Sequence, residues 1–253
     1  MKTFIKTRDG NMVQVLVDEA EASGKLVFVM HGLGGNKTQG HIRAMAEAFL
    51  ESGYTVVAWD AVHTFGESEG GNYEDATITN YYSDLEDVIA WAVPQSRYSE
   101  PFTLYGHSLG GISVALFAEK YPEKVKALAP ISTVVSGELS LLTKADDLEG
   151  WKRNGIGVTM SHDGKNEKRL KWSHMEDRMN YNLIDNVAKL TMSVHMIVGE
   201  HDDPTPPEHQ RLLFEQLPGK KEMHIVNGAL HSFYEPHEQQ EVKRIVGKWL
   251  KTV

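Results

Sequence analysis

Ser108 is the centre of Gly106-His107-Ser108-Leu109-Gly110, a Gly-x-Ser-x-Gly pattern between an apolar stretch and a helix-forming run. In a tight strand-to-helix turn of this kind, the serine hydroxyl is lifted away from the backbone. The two glycines allow two backbone segments to approach more closely than a Cβ would permit. The pattern predicts a serine nucleophile, although on its own it also fits a glycine-rich turn without chemistry.

Carboxylates and a histidine follow two later apolar stretches of the chain. Residues 199–206 include Glu200, Asp202 and Asp203, and residues 227–233 include His231. A serine hydroxyl is a poor nucleophile at its ordinary pKa, so it needs a hydrogen-bonded base such as histidine. A carboxylate then orients the imidazole and stabilises its charged form. The chain order serine, acid, histidine is typical of one arrangement of this triad.

The spacing of apolar residues predicts the elements that position these groups. A hairpin is expected over residues 3–7 and 12–17, and apolar stripes predict helices over 42–50, 82–92 and 242–250. Strands buried on both faces are expected at 25–30 and 54–59, and further strands at 102–105, 125–131, 194–198 and 223–226. Alternating strands and helices indicate an α/β fold with a mostly parallel sheet, whose carboxyl edge gathers the reactive residues.

Residues 134–190 interrupt this alternation, being rich in charge, glycine, tryptophan and methionine without a buried strand. We expect a small, mainly helical insertion over the strand ends, within a single domain that spans residues 1–253. Apolar pockets with few polar groups suit small acyl esters. Candidates for lining an acyl or aryl pocket, which also fit the packing of a lid onto its domain, are Trp151, Trp172, Met175, Met179 and Tyr181.

With these motifs the chain resembles the α/β-hydrolase superfamily over essentially its full length. The resemblance implies the α/β-hydrolase fold, with Ser108 as nucleophile and His231, in Gly-x-x-His-x-Phe, as base. The superfamily's Gly-x-x-Asp pattern ahead of a proline falls on Asp202, and Asp203 is the alternative acid. The resemblance also implies an oxyanion hole made by the backbone amides of Leu33 and Leu109.

A narrower resemblance is to bacterial feruloyl/cinnamoyl-esterase-like serine hydrolases. It is carried by residues 31–37, which begin His-Gly-Leu-Gly-Gly, and by residues 66–70 and 73–77. The chain departs from that group at residues 63–66, His-Thr-Phe-Gly, where the group usually has Gly-His-Gly. It also has Leu109 where the group often has glutamine, which leaves the backbone donor in place and makes the pocket more apolar.

The charge and the residue composition of the chain argue against several kinds of partner and cofactor. The formal net charge of −9 without a basic run argues against a nucleic-acid partner, and no stretch approaches the roughly 18 apolar residues of a membrane span. The first residues lack the apolar core of a signal peptide, so we expect a cytoplasmic protein. The chain has no cysteine, no zinc-protease spacing and no phosphate-binding Gly-Lys-Ser/Thr motif, so we expect no metal or other cofactor.

The sequence therefore predicts a cofactor-free serine carboxylesterase whose partner is a small ester, such as an aryl, cinnamoyl or short-chain acyl ester. The same triad would serve a lysophospholipase, a monoacylglycerol lipase, a thioesterase or a serine peptidase, which differ in leaving group. A remote alternative is a non-catalytic binding protein on the same fold. We expect a monomer or a homodimer.

Overall fold

The computed structural model describes residues 1–20, 24–143, 148–161, 164 and 167–253. Ten strands lie among these residues: β1 Lys2–Lys6, β2 Met12–Asp18, β3 Lys25–Met30, β4 Tyr54–Trp59, β5 Phe102–His107, β6 Val125–Ile131, β7 Ile156–Met160, β8 Glu167–Lys171, β9 Ser193–Gly199 and β10 Lys221–Val226. Eight of them form one sheet in the order β1-β2-β4-β3-β5-β6-β9-β10, and β7 pairs with β8 alone.

The eight-stranded sheet is parallel except at β2, which runs antiparallel to both β1 and β4. The predicted hairpin and the six further predicted strands are all present. Strands β3, β4 and β6 have the expected bounds, while β5, β9 and β10 extend one or two residues further than expected. The apolar runs were reliable in β3, β4, β5 and β6 because these strands are covered on both faces, which leaves no room for a polar alternation.

Eight α-helices accompany the strands in the described part of the chain: α1 Gly40–Glu51, α2 Ile78–Ala92, α3 Leu109–Lys120, α4 Gly137–Leu142, α5 Leu148–Asn154, α6 Ser173–Arg178, α7 Pro207–Gln216 and α8 Pro236–Trp249. Helices α1 and α8 cover one face of the sheet, where Phe49 and Trp249 pack with Val29 of β3. Helices α2 and α3 cover the other face, where Leu85 packs with Phe28. Adjacent residues of β3 thus enter opposite cores, as the period of two requires.

The segment 134–190 contains α4, α5 and α6 together with the antiparallel hairpin of β7 and β8. Residues 144–147, 162–163 and 165–166 of the predicted insertion lie outside the described residues. The sequence predicted helices here and did not predict the hairpin. Its apolar residues Val158 and Met160 are exposed, so no buried apolar run marks a strand.

Polar contacts tie this segment to α2 and to the loop before it. Asp177 of α6 accepts from the Thr79 amide, and the Lys171 ammonium of β8 pairs with Asp75 at 2.5 Å. The Tyr181 hydroxyl lies 2.6 Å from the Thr79 hydroxyl. In the part of the chain that the structure describes, no helix is long and apolar enough to cross a membrane.

Candidate active site

The turn between β5 and α3 holds Ser108 in a strained backbone conformation, with φ of 54° and ψ of −113°. A Cβ on Gly106 would lie 2.3 Å from the Gly110 carbonyl oxygen, and one on Gly110 would lie 2.4 Å from the His31 carbonyl oxygen. Larger residues are therefore excluded at both glycines. Such strain is kept only where the surroundings enforce it, and the Ser108 amide donates to the Ile131 carbonyl at 2.9 Å.

The imidazole of His231 joins the serine to one carboxylate. Its Nε2 lies 2.9 Å from Ser108 Oγ, and its Nδ1 lies 2.9 Å from both carboxylate oxygens of Asp202. The structure thus brings together the serine, the histidine and the first of the two candidate acids. Asp203 is exposed, because the turn after β9 directs only one of the two adjacent side chains inward.

Asp202 is only 2% exposed, yet its pKa lies below the usual value. Burial alone would raise the pKa, but the charge and hydrogen bond of His231 and the Thr205 amide outweigh it. That amide donates to Asp202 Oδ1 at 2.9 Å, and the Thr205 hydroxyl lies 2.9 Å from the Ser132 carbonyl oxygen. Sequence reasoning missed Thr205. Its position three residues after an aspartate, in a turn, was the available signal.

His107 anchors the backbone of the catalytic loop. Its Nε2 donates to the His231 carbonyl oxygen at 2.8 Å, which requires the proton on Nε2. Burial lowers the pKa of His107 to about 3, so the ring is neutral. The ring centroid lies 4.8 Å from that of His231 and 4.6 Å from that of the buried His41. The elbow and the histidine loop are therefore joined directly by a side chain.

The loop after β3 passes directly beside Ser108. A Cβ on Gly32 would lie 2.8 Å from the Ser108 Cβ. The Gly32 carbonyl oxygen lies 2.7 Å from His31 Nδ1, while His31 Nε2 accepts from the Ala61 amide at 2.9 Å. Because a trans peptide is planar, fixing this carbonyl also fixes the opposite direction of the Leu33 N–H.

Leu109, the other residue expected to form the oxyanion hole, is the first residue of α3. Its amide is therefore one of the first four of the helix, which have no acceptor within the helix. The positive end of the helix dipole lies at the same place. Both backbone amides are thus in the two segments that adjoin the serine.

A buried ion pair fixes the loop after β3 to the loop after β4. Lys37 is only 1% exposed, and its ammonium lies 2.6 Å from Asp60 Oδ2 and 2.7 Å from Glu67 Oε2. Asp60 Oδ1 also accepts the Lys37 amide at 2.8 Å. Breaking such a pair would leave an uncompensated buried charge, so the contact holds the loop rigidly. Sequence reasoning did not single out Lys37.

The residues expected to line an acyl pocket lie in the segment 134–190 and do not form one cluster. Trp151 packs at right angles to Trp172, and its Nε1 donates to the Leu170 carbonyl within the same segment. Met175 is fully buried, whereas Met179 is exposed. The structure records these positions, and a role in binding substrate stays a prediction.

The loop after β9 also contains Glu200 and His201, two residue types that can bind metal ions. Glu200 Oε2 accepts the Gly228 amide at 2.7 Å, and His201 is exposed. Among the described residues, no group of three or more histidine, aspartate and glutamate side chains could hold a metal ion. The local geometry assigns Glu200 to holding the loop that carries His231.

The strand order, the elbow and the serine, histidine and aspartate at the carboxyl edge define the α/β-hydrolase fold. A family model, Hydrolase_4, described as serine aminopeptidase, S33, matches residues 21–182. The chain belongs to this family. The matched region contains Ser108 and both candidate oxyanion residues, while Asp202 and His231 lie beyond it. The resemblance to α/β hydrolases expected from the sequence is confirmed.

Similar proteins include esterases. The chain is 35% identical over 111 residues to the probable esterase PIR7A of Oryza sativa subsp. indica, covering 42% of this chain and 38% of that protein. It is 35% identical over 85 residues to a pyrethroid hydrolase of Sphingobium wenxiniae, covering 33% and 28%. The chain thus matches well under half the length of these relatives.

Solved structures match over almost the whole chain. Est1E of Butyrivibrio proteoclasticus with ferulic acid bound superposes with a TM-score of 0.83 at 23% identity, covering 99% of this chain and 98% of that one. Mouse alpha/beta hydrolase domain-containing protein 10 gives a TM-score of 0.80 at 17% identity, covering 100% and 99%. At these identities the likeness is one of fold.

Proposed function

We propose that this protein is a serine esterase that cleaves carboxylic esters with Ser108 as nucleophile, His231 as general base and acid, and Asp202 as the orienting carboxylate. The observation that carries the proposal is the unbroken chain of contacts from Ser108 Oγ through His231 to Asp202, each of 2.9 Å. These distances are within the range for proton transfer between nucleophile and base.

The reaction proceeds in two halves. Ser108 Oγ attacks the ester carbonyl carbon and gives its proton to His231 Nε2, which returns that proton to the departing alcohol. Water then gives a proton to His231 and attacks the acyl carbon, the bond from that carbon to Ser108 Oγ breaks, and His231 returns the proton to Oγ, so the acid is released and the serine is restored. The amides of Leu33 and Leu109 stabilise the oxyanion in both halves, and one such donor is worth roughly 10²–10³ in rate.

Small aryl, cinnamoyl or short-chain acyl esters are the proposed substrates. The names of the relatives, a probable esterase and a pyrethroid hydrolase, support ester chemistry, and the ferulic acid bound to Est1E supports an aryl acid. We further propose that residues 134–190 form the cap over the site and set its selectivity. A cytoplasmic location and a monomeric or homodimeric state stay predictions.

The test is labelling with a fluorophosphonate probe, with hydrolysis of p-nitrophenyl acetate and butyrate measured in parallel. Ser108→Ala should abolish labelling and lower kcat/KM by about 10⁴-fold or more, because the nucleophile is removed. Ser96→Ala, at an exposed serine, is the matched control and should label fully. Labelling that survives in Ser108→Ala would falsify the assignment.

A serine peptidase is the second candidate, because the matching family model is described as serine aminopeptidase. The same triad acts on both substrates, which differ in the leaving group. A panel of aminoacyl p-nitroanilides, a thioester, a monoacylglycerol, a lysophospholipid and methyl ferulate would separate these activities. If kcat/KM is higher on the anilides than on every ester, the protein is a peptidase and the assignment as an esterase is wrong.

A further inference from the structure

Arg178, the last residue of α6, is a buried cation without a carboxylate partner. It is only 5% exposed, and its Nη1 donates to the Ser140 hydroxyl of α4 at 3.2 Å. Its Nε has no hydrogen-bond partner. The neighbouring Asp177 does not pair with it, because that carboxylate accepts from the Thr79 amide instead. Among the described residues, no carboxylate lies within salt-bridge distance of the guanidinium.

This arrangement is unusual within the chain and energetically costly. Six arginines form salt bridges with carboxylates among the described residues, namely Arg8, Arg43, Arg97, Arg169, Arg211 and Arg244. All of these are more exposed than Arg178. Burial penalises the charged form and lowers the pKa of Arg178 to about 10, although the charge of the neighbouring Asp177 opposes the change. Arg178 is therefore still charged at neutral pH, and no carboxylate among the described residues pairs with it directly.

Arg178 and Tyr73 lie close to segments that adjoin Ser108. Tyr73 is half-buried, the pKa of Tyr73 and that of Arg178 each respond to the other group's charge, and burial raises the pKa of Tyr73 to about 12. Tyr73 Cε2 would lie 2.9 Å from a Cβ on Gly34 in the loop after β3. The Arg178 carbonyl oxygen would lie 2.4 Å from a Cβ on Gly137 of α4, three residues after Val134, whose amide donates to the Ser108 carbonyl at 3.4 Å.

The surroundings of Tyr73 add an apolar wall and a second cation. Phe65 stacks on Tyr73 with ring centroids 4.4 Å apart and is itself exposed. The Lys168 ammonium of β8 would lie 3.5 Å from the same Cβ on Gly34. An apolar portion of a substrate that lay along the rings of Phe65 and Tyr73 would therefore lead toward positively charged side chains, although the net charge of the whole chain is −9.

We propose that Arg178 binds a carboxylate group of the substrate that is remote from the scissile ester, so that the enzyme selects esters carrying a second, anionic acid group. This inference rests on the proposed esterase function. A guanidinium matches a carboxylate with two parallel hydrogen bonds, and Nε and Nη2 offer such a pair of donors. The carboxylate would belong either to the acyl group or to the alcohol, and the experiment distinguishes the two.

The first experiment compares kcat/KM for matched anionic and neutral esters. Monomethyl adipate against methyl hexanoate tests a carboxylate on the acyl group, and 4-acetoxybenzoate against its methyl ester tests one on the alcohol. The wild-type protein should prefer the anionic ester of one pair. Arg178→Gln should lower that preference roughly 10- to 100-fold, the range for hydrogen bonds to a charged group. Arg178→Lys should restore part of it.

Arg153→Gln, at an exposed arginine of α5, is the control and should leave the preference unchanged. A wild-type protein without preference in either pair would overturn the proposal. So would an Arg178→Gln variant that loses anionic and neutral substrates equally, because Arg178 would then only join α6 to α4.

The second experiment needs no turnover, so it separates this inference from the esterase function. Adipate or 4-hydroxybenzoate should raise the Tm of Ser108→Ala, since a ligand that binds only the folded state stabilises it. The double variant Ser108→Ala/Arg178→Gln should show no such rise, and hexanoate or methyl 4-hydroxybenzoate should raise neither. If no ester is hydrolysed but the anionic ligands still raise the Tm, the proposed esterase function is wrong and the role of Arg178 in binding a carboxylate stands. A shift that persists in the double variant overturns the role of Arg178.

Discussion

The carboxyl edge of the sheet and the segment 134–190 differ in whether their buried charged groups have partners of opposite charge. At the sheet edge, Asp202 is held by His231 and Thr205, and the Lys37 ammonium is neutralised by Asp60. In the segment 134–190, the buried guanidinium of Arg178 donates to the Ser140 hydroxyl, and no carboxylate among the described residues lies within salt-bridge distance of it. The two regions therefore differ in function as well: the proposed catalytic groups have their partners within the protein, whereas Arg178 is left to pair with an anionic ligand.

The two regions also differ in how their backbone is fixed. The loops of Ser108 and Asp202 follow β5 and β9, which are buried along almost their whole length, whereas the hairpin of β7 and β8 exposes Val158 and Met160. A group that must be held within a fraction of an ångström belongs on the rigid edge, and a group that selects among substrates can lie on the more exposed segment. We therefore expect substitutions in the first region to change kcat and those in the second to change selectivity.

The largest effect is expected at the acid. Asp202→Asn should lower kcat by about 10⁴-fold with little loss of stability, because the amide cannot stabilise the imidazolium and favours the wrong tautomer. Asp203→Asn removes the adjacent, exposed carboxylate and should change kcat less than 3-fold or so. Steady-state kinetics on p-nitrophenyl butyrate measures both.

The opposite outcome has a clear meaning. If Asp203→Asn loses activity and Asp202→Asn keeps it, the acid in the working enzyme is the exposed one. The contact of 2.9 Å between His231 and Asp202 would then not describe the reacting state.

The sheet could be predicted because burial on both faces leaves a readable pattern. Strands β3 and β4 are nearly continuous apolar runs, so their bounds follow from the sequence. The positions of Ser108, Asp202 and His231 followed from where the apolar runs of β5, β9 and β10 end. The choice between two adjacent aspartates rested on the spacing of a family pattern, because only the turn after β9 decides which side chain points inward.

Elements that bury little could not be predicted. Helix α7 buries Pro207, Gln210 and Leu213 and therefore shows no wide apolar stripe. The strands β7 and β8 likewise bury few residues, so no apolar run in the sequence marks them. The unpaired state of Arg178 is a property of tertiary packing, since an arginine on a short helix gives no signal that its counter-charge is missing. The sequence thus shows which segments are buried, but it does not show whether a buried charged group has a counter-charge.

A smaller effect is expected from Asp84 of α2, a buried carboxyl near the sheet edge that accepts the Val62 amide at 2.7 Å. Burial raises its pKa to about 7, although the Val62 amide opposes the change. Between pH 4 and pH 7 the folded state therefore binds the proton more tightly than the unfolded state. The free energy of unfolding contributed by this group falls as pH rises through that window.

Asp84→Asn cannot ionise and keeps an acceptor for the Val62 amide, so it should remove this loss. Its free energy of unfolding relative to wild type should increase by about 3 kcal/mol between pH 4.5 and pH 8, measured by urea unfolding. Asp203→Asn, at an exposed carboxylate, is the control and should show no such increase. A pH-independent difference between Asp84→Asn and wild type would mean that the sheet edge tolerates this charge as readily as the segment 134–190 tolerates Arg178.

The smallest effect tests whether the segment 134–190 opens independently of the sheet. Trp151→Phe keeps an aromatic ring against Trp172 but loses the donor to the Leu170 carbonyl, at a cost of about 1 kcal/mol. Hydrogen exchange should then accelerate about 5-fold in β7 and β8 and stay unchanged in β5 and β6. Trp91→Phe, on α2, is the control and should leave the hairpin unaffected. Equal acceleration in both regions would instead show that hairpin and sheet unfold as one unit, and selectivity could then not vary without cost to the catalytic edge.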